Sequence, residues 1–257
     1  MRHSLPLAAA LLCLAAASPA LAQDAPPPAP GAGPPQSAER LGSAEPLSNT
    51  AKPPPPSTAW ERLSHRGGLK LGAFGLGLSA VRVVWSEEAP VQAWLVDSRP
   101  LGELSVIGNA SPPYMLGGTL GLLAGLAWAE PDPTLRAARW RHLEIFFVTQ
   151  AVNAGVTDLL KASVGRLRPD GGNTLSFPSG HTSSAFAWAT FIWRRHGWQW
   201  GLPAVAFATF VAASRVQERR HFPSDVAAGA LLGVSLTYLI DVIYGPDPAA
   251  PQTGLLP

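Results

Sequence analysis

Long apolar runs, broken by short clusters of proline, glycine and charge, fill the middle of this chain. The runs near 69–85, 114–129, 143–163, 181–195, 202–215 and 223–244 are too long for strands. Their bounding Pro, Gly and charged residues are the punctuation of helix ends. The pattern predicts an all-α fold, a helical bundle of about six helices. Pro112-Pro113 marks the start of the second run, because proline is best tolerated in a helix's first turn. The stretch 89–108 is shorter-phased and more mixed, and predicts amphipathic pieces lying along a surface. No repeat period is visible.

The two ends follow other rules. Residues 1–22 combine Arg2 and His3, an apolar stretch from Leu5 to Ala17, and Ala20-Leu21-Ala22. That is the layout of a signal peptide or an N-terminal signal anchor. The only cysteine, Cys13, lies within it, so a cleaved chain would have no thiol chemistry. Residues 23–58 are rich in Pro, Ala, Gly and Ser and are expected to form a disordered linker, since such a composition cannot build a core. The helical domain is expected over 59–245, with 246–257 a loose C-terminal tail.

Composition adds the solvent. The 257 residues allow one compact domain with appendages, and 47% hydrophobic against 14% charged content points to membrane contact. A net charge of +2, with no nucleic-acid motif, gives no reason to expect a nucleic-acid partner. Trp140 lies near Arg136, Arg139 and Arg141, and Trp198 and Trp200 follow Arg194 and Arg195. Aromatic and basic residues together at helix ends suit a membrane–water interface. Helix alternation puts both Arg groups opposite the polar clusters described next. The positive-inside rule then turns those clusters outward, to the periplasm of an inner membrane. A cleaved signal conflicts with that topology if 69–85 spans once, because it would leave residue 23 outside. Several runs are also short against the roughly 20 residues a span needs.

Three polar clusters sit at the boundaries of the apolar runs. The first is Lys161 with Arg168-Pro169; the second is Pro178-Ser179-Gly180-His181; the third is Ser214-Arg215, His221 and Asp225. Phosphoryl transfer spreads negative charge over equatorial oxygens, so its catalysis is mostly positioning and electrostatics. Lys161, Arg168 and Arg215 can supply fixed positive charge, the arginines as planar forks. Ser179 and Gly180 form a turn that opens a helix, where free N–H groups favour an anion. His221 and Asp225, four apart, share one helical face, so the carboxylate can orient the ring and leave its other nitrogen free to attack. His181 is then the acid toward the leaving oxygen and the base toward water. The inventory needs neither metal nor cofactor. Glu218, Arg219 and Arg220 crowd the approach to His221, as a solvated loop or as attraction for an anionic headgroup. Asn109-Ala110-Ser111 matches a glycosylation acceptor but abuts an apolar run, and is read as chance.

In this order and spacing the clusters resemble the signature of the type 2 phosphatidic acid phosphatase superfamily, which also holds class A acid phosphatases and vanadium haloperoxidases. The resemblance covers about 141–244 and every fixed position. It implies a helical core, phosphate binding by Lys161, Arg168, Ser179, Gly180 and Arg215, and catalysis by His181, His221 and Asp225. It implies a phosphorylated substrate, a lipid first among candidates, with membrane lipid as neighbour. The short linker 170–177 and the His221-Phe222-Pro223-Ser224-Asp225 wording resemble the lipid phosphatases most. Rival readings are a soluble periplasmic acid phosphatase of broad specificity, a vanadate-dependent haloperoxidase, and an envelope phosphate-binding protein without turnover.

Overall fold

The computed structural model describes residues 67–245, with side chains from residue 72 onward, together with Thr58, Glu61 and Ser64. The expected leader 1–22, the linker through residue 57 and the tail 246–257 lie outside the described residues. Among the described residues there are seven α-helices, one short 3-10 turn and no strand. In chain order they are α1 Gly67–Ser86, α2 Glu88–Ser98, the turn Gly102–Leu104, α3 Ser105–Ala129, α4 Pro133–Val164, α5 Gly180–His196, α6 Trp198–Gln217 and α7 Pro223–Tyr244.

All six expected helices are present, and the stretch expected to lie along a surface holds α2 and the turn. Two boundaries differ. The second helix begins at Ser105, so Pro112 and Pro113 lie inside α3 rather than at its start. The helix survives because the carbonyls left without partners are bonded elsewhere, as described below. The third begins ten residues before the apolar run at 143, because Asp132 caps it. The Asp132 carboxylate accepts from Thr134 N at 2.8 Å and Leu135 N at 3.0 Å, and Pro133 follows at the first helical position.

Helices α5, α6 and α7 form the centre, with α3 and α4 packed against them and α1 lying along α7. Their core contains Ala185, Phe186, Ala189, Ala208, Val211, Ala212, Ala230 and Val234. So many alanines let helix axes approach closely, as α5 and α7 do. A Cβ at Gly229 would stand 2.6 Å from the Ser179 carbonyl oxygen, and one at Gly233 only 2.2 Å from that of Ser183. The two glycines, four apart, form a groove in α7 that receives the backbone of α5. A second seam is polar. Asn153 and Thr157 of α4 bond Ser183 of α5 at 3.2 and 3.1 Å, and Gln150 bonds Ser184 at 2.9 Å. These contacts fix the register of α4 and α7 against α5.

Helix direction alternates, so the ends of α1, α4 and α6 gather at one end with the starts of α3, α5 and α7. The opposite end collects exposed Trp128, Trp140, Trp198 and Trp200. There the arginines are tied down: Arg194 and Arg195 both pair with Asp241, Arg139 with Glu130, and Arg141 with the Tyr244 carbonyl. Helices α4 and α7 are each long and apolar enough to cross a membrane, α7 being half buried within the bundle.

Candidate active site

The end of α4 and the starts of α5 and α7 bring the three clusters together, and local structure explains how. Gly165, with φ +60°, ends α4 in the left-handed conformation, and its N–H returns to the Lys161 carbonyl at 3.0 Å. The loop that follows is closed by Arg168 N to Asn173 O at 2.9 Å and Ser176 N to Arg166 O at 2.9 Å. It is tied to the loop after α6 by Asp170 N to Arg219 O at 3.1 Å and by an Asp170–Arg220 ion pair at 3.0 Å. Glu218 is likewise engaged, with Ser105 Oγ at 2.5 Å and Arg99 at 3.5 Å. Glu218 and Arg220 therefore brace loops, while the Arg219 side chain stands exposed.

Ser179 caps α5. Its hydroxyl oxygen accepts from Thr182 Oγ1 at 3.0 Å, and its N–H donates to the Asp225 carbonyl at 3.0 Å, joining the second cluster to the third. Gly180 opens the helix against the first cluster: a Cβ there would touch Lys161 Cε at 3.6 Å. Lys161 Nζ donates to the Leu175 carbonyl at 2.9 Å. His181 lies within electrostatic reach of Arg215, His221 and Lys161, and Arg168 within reach of Lys161 and Arg215. The seven residues expected to surround one anion, with Gly180, thus share one end of the bundle. Arg168 Nε and Arg215 Nε are buried there without a hydrogen-bond partner in the protein. A buried, unpaired guanidinium N–H is costly unless something else accepts from it.

His221 is only 2% exposed. Its Nδ1 donates to the Ser176 carbonyl at 2.7 Å, which fixes the tautomer and leaves Nε2 as the free lone pair. Asp225 stands behind it, with Oδ2 at 3.8 Å from Nδ1, a charge contact longer than a hydrogen bond. Its oxygens accept instead from Ser176 Oγ at 2.5 Å, Phe222 N at 2.9 Å and Arg166 at 2.8 Å. Asp225 thus acts on the ring partly through Ser176, whose hydroxyl and carbonyl touch both. Burial holds His221 below the ordinary imidazole range; Asp225 opposes that shift and Lys161 adds to it. That shift favours the neutral ring, with its lone pair on Nε2.

Four residues of the site escape a reading of clusters. Arg166 lies between Trp85 and Phe222, 4.4 and 4.0 Å from their ring centroids, and reaches Asp225, Ser224 and Glu88. Glu88 also takes the Ser224 hydroxyl. Ser176 is the third. Asn109 is the fourth: its amide oxygen accepts from Arg215 at 3.1 Å and its carbonyl from His181 Nε2 at 3.2 Å. Among the described residues no group of three or more His, Cys, Asp or Glu could hold a metal ion.

The PAP2 superfamily model matches residues 142–246, which span all three clusters. Residues 142–246 of this chain are a PAP2 superfamily domain. Similar proteins include a lipid A 1-phosphatase of Porphyromonas gingivalis, 39% identical over 105 residues, covering 38% of this chain and 23% of that protein. A lipid A 4'-phosphatase of Helicobacter pylori is 35% identical over 79 residues, 31% of this chain and 40% of its own. A decaprenylphosphoryl-5-phosphoribose phosphatase of Mycobacterium tuberculosis is 36% identical over 96 residues, 34% of this chain and 52% of its own. The chain thus spans between 23% and 52% of the length of these relatives. No solved structure matches it.

Proposed function

We propose that this chain is a membrane phosphatase that removes phosphate from a lipid phosphate or pyrophosphate through a phosphohistidine. Lys161, Arg168, Arg215, the Ser179 hydroxyl and the N–H groups opening α5 at Gly180 hold the phosphoryl oxygens. His221 Nε2 attacks phosphorus while the bond to the leaving oxygen breaks, and His181 gives that oxygen a proton. Water then attacks the phosphohistidine, with His181 taking its proton, and inorganic phosphate leaves. The three fixed cations carry the charge compensation, so no metal ion enters the scheme.

The observation that carries this reading is the pair of buried Nε–H groups on Arg168 and Arg215, unpaired within the protein, with Arg215 in electrostatic reach of His181 and Arg168 in reach of Arg215 and Lys161. A tetrahedral oxyanion supplies the acceptors they lack. The lipid reading is supported by the relatives' names and by the flanks of the bundle. Leu76, Tyr114 and Trp128 are 74%, 76% and 83% exposed, and many other large apolar side chains share those flanks. The tryptophans at the end opposite the site match an interfacial belt, and the arginines beside them support an orientation with that end in the cytoplasm and the site toward the periplasm. Helix α1 runs from that end to the site, so this orientation and a cleaved leader at 1–22 are compatible only if α1 does not span the membrane.

The test is phosphate release in detergent, comparing phosphatidate, a polyprenyl diphosphate and a phosphorylated lipid A with water-soluble phosphomonoesters. The lipid phosphates should show the higher kcat/KM, and His221→Ala should lose turnover with its fold intact. Parent-like activity in His221→Ala would remove His221 as nucleophile. Preference for soluble esters would favour the broad acid phosphatase reading.

A further inference from the structure

In an α-helix the carbonyl of residue i accepts from the N–H of residue i+4. Pro112 and Pro113 have no N–H, so the carbonyls of Gly108 and Asn109 in α3 lose their helical partners. Both have found others. The Gly108 carbonyl accepts from Ser111 Oγ at 3.1 Å. The Asn109 carbonyl accepts from His181 Nε2 at 3.2 Å, across 72 residues of sequence. The side chain of the same asparagine accepts from Arg215 Nη1 at 3.1 Å. Helix α3 can sit this close because Gly108 has no side chain: a Cβ there would meet Ser214 Oγ at 1.9 Å.

We infer that Asn109 and Pro113 are positioning residues for the phosphoryl transfer: Pro113 frees the Asn109 carbonyl to hold His181, and the Asn109 amide holds Arg215. A carbonyl only accepts, so the His181 proton that faces it resides on Nε2. The nitrogen left to exchange a proton with substrate is Nδ1. His181 enters the step as the imidazolium, its second proton on Nδ1 supplied by the substrate's phosphate monoanion or retained from the water of the preceding turnover. As the bond between phosphorus and the leaving oxygen breaks, its electron pair stays on oxygen and the Nδ1 proton moves there. The ring returns to neutral with its remaining proton on Nε2, still bonded to Asn109. The inference rests on the reading of His181 as general acid.

That dependence can be separated experimentally, because a general acid matters most for poor leaving groups. Turnover of an alkyl phosphate and of p-nitrophenyl phosphate is measured for the parent, His181→Ala, Pro113→Ala and Asn109→Ala. Since general acids contribute about 10²–10⁴-fold, Pro113→Ala, which disturbs the ring without removing it, should lower kcat for the alkyl ester about tenfold more than for the aryl ester. It should do so with an equal or higher thermal midpoint, because alanine suits a helix interior better than proline. Asn109→Ala should raise KM for both esters alike, through Arg215. A purely structural role for Pro113 predicts equal or greater stability with both esters unaffected, and that result would overturn the inference. If His181→Ala itself shows no dependence on the leaving group, the general-acid reading fails instead.

Discussion

Replacing Arg166 by methionine tests whether the buried Asp225 carboxylate depends on the cation beside it. Asp225 is 0% exposed, and Arg166 bonds its Oδ1 at 2.8 Å while also holding Ser224 at 2.7 Å and Glu88 at 2.7 Å. Removing one partner of a buried ion pair costs about 3–5 kcal/mol, because the remaining charge is left uncompensated. Losing the guanidinium between Trp85 and Phe222 adds about 1 kcal/mol. For a domain of this size about 2–4 °C accompanies each kcal/mol, so the ion-pair loss alone lowers the thermal midpoint by about 6–20 °C. Near-UV circular dichroism during heating in detergent measures it. The double variant Arg166→Met/Asp225→Asn should lose less than the sum of the single changes, with a coupling of about 1–3 kcal/mol, since Asp225 is no longer left charged without its cation. Strict additivity, or a midpoint for Arg166→Met within about 2 °C of the parent, would refute the clamp.

Two further outcomes follow from packing and direction. Gly233→Ala should destabilise by about 1–3 kcal/mol and lower turnover, because its Cβ would press on the α5 backbone that carries His181. Gly117→Ala, where the space is open, should be neutral or stabilising in the same melt; matching losses at both sites would contradict the close seam. A green fluorescent protein fused after residue 257 should fluoresce in cells, since α7 ends at the arginine-rich end; a dark but translocated fusion would reverse the proposed orientation.

What could be read from the sequence depended on how far apart the partners lie. Helix α7 was legible to its ends because Pro223 and Gly245 mark them locally. Helix α4 starts ten residues before its apolar run because its first turns carry Arg136, Arg139 and Arg141, which mask the apolar period even though Asp132-Pro133 signals the start. The cation and imidazole inventory was legible because each motif is short. Arg166 was not: its acidic partners lie 59 and 78 positions away, and nothing local distinguishes it from a solvated arginine. Ser176 was hidden because it acts on His221 through its backbone. Asn109-Ala110-Ser111, set aside as a chance acceptor site, turned out to hold the residue that touches both His181 and Arg215. The spacing of His221 and Asp225 correctly placed them side by side, but could not show that a serine stands between them.

Helix α1 enters and α7 leaves at the end remote from the candidate site, about 30 Å away for a 20-residue helix. Both attachment points of the domain are therefore on its idle side. Handles or solubility partners joined at the two ends of the helical domain would leave the end that carries Lys161, His181 and His221 turned away from the attachment, which suits capture formats that present that end to added vesicles.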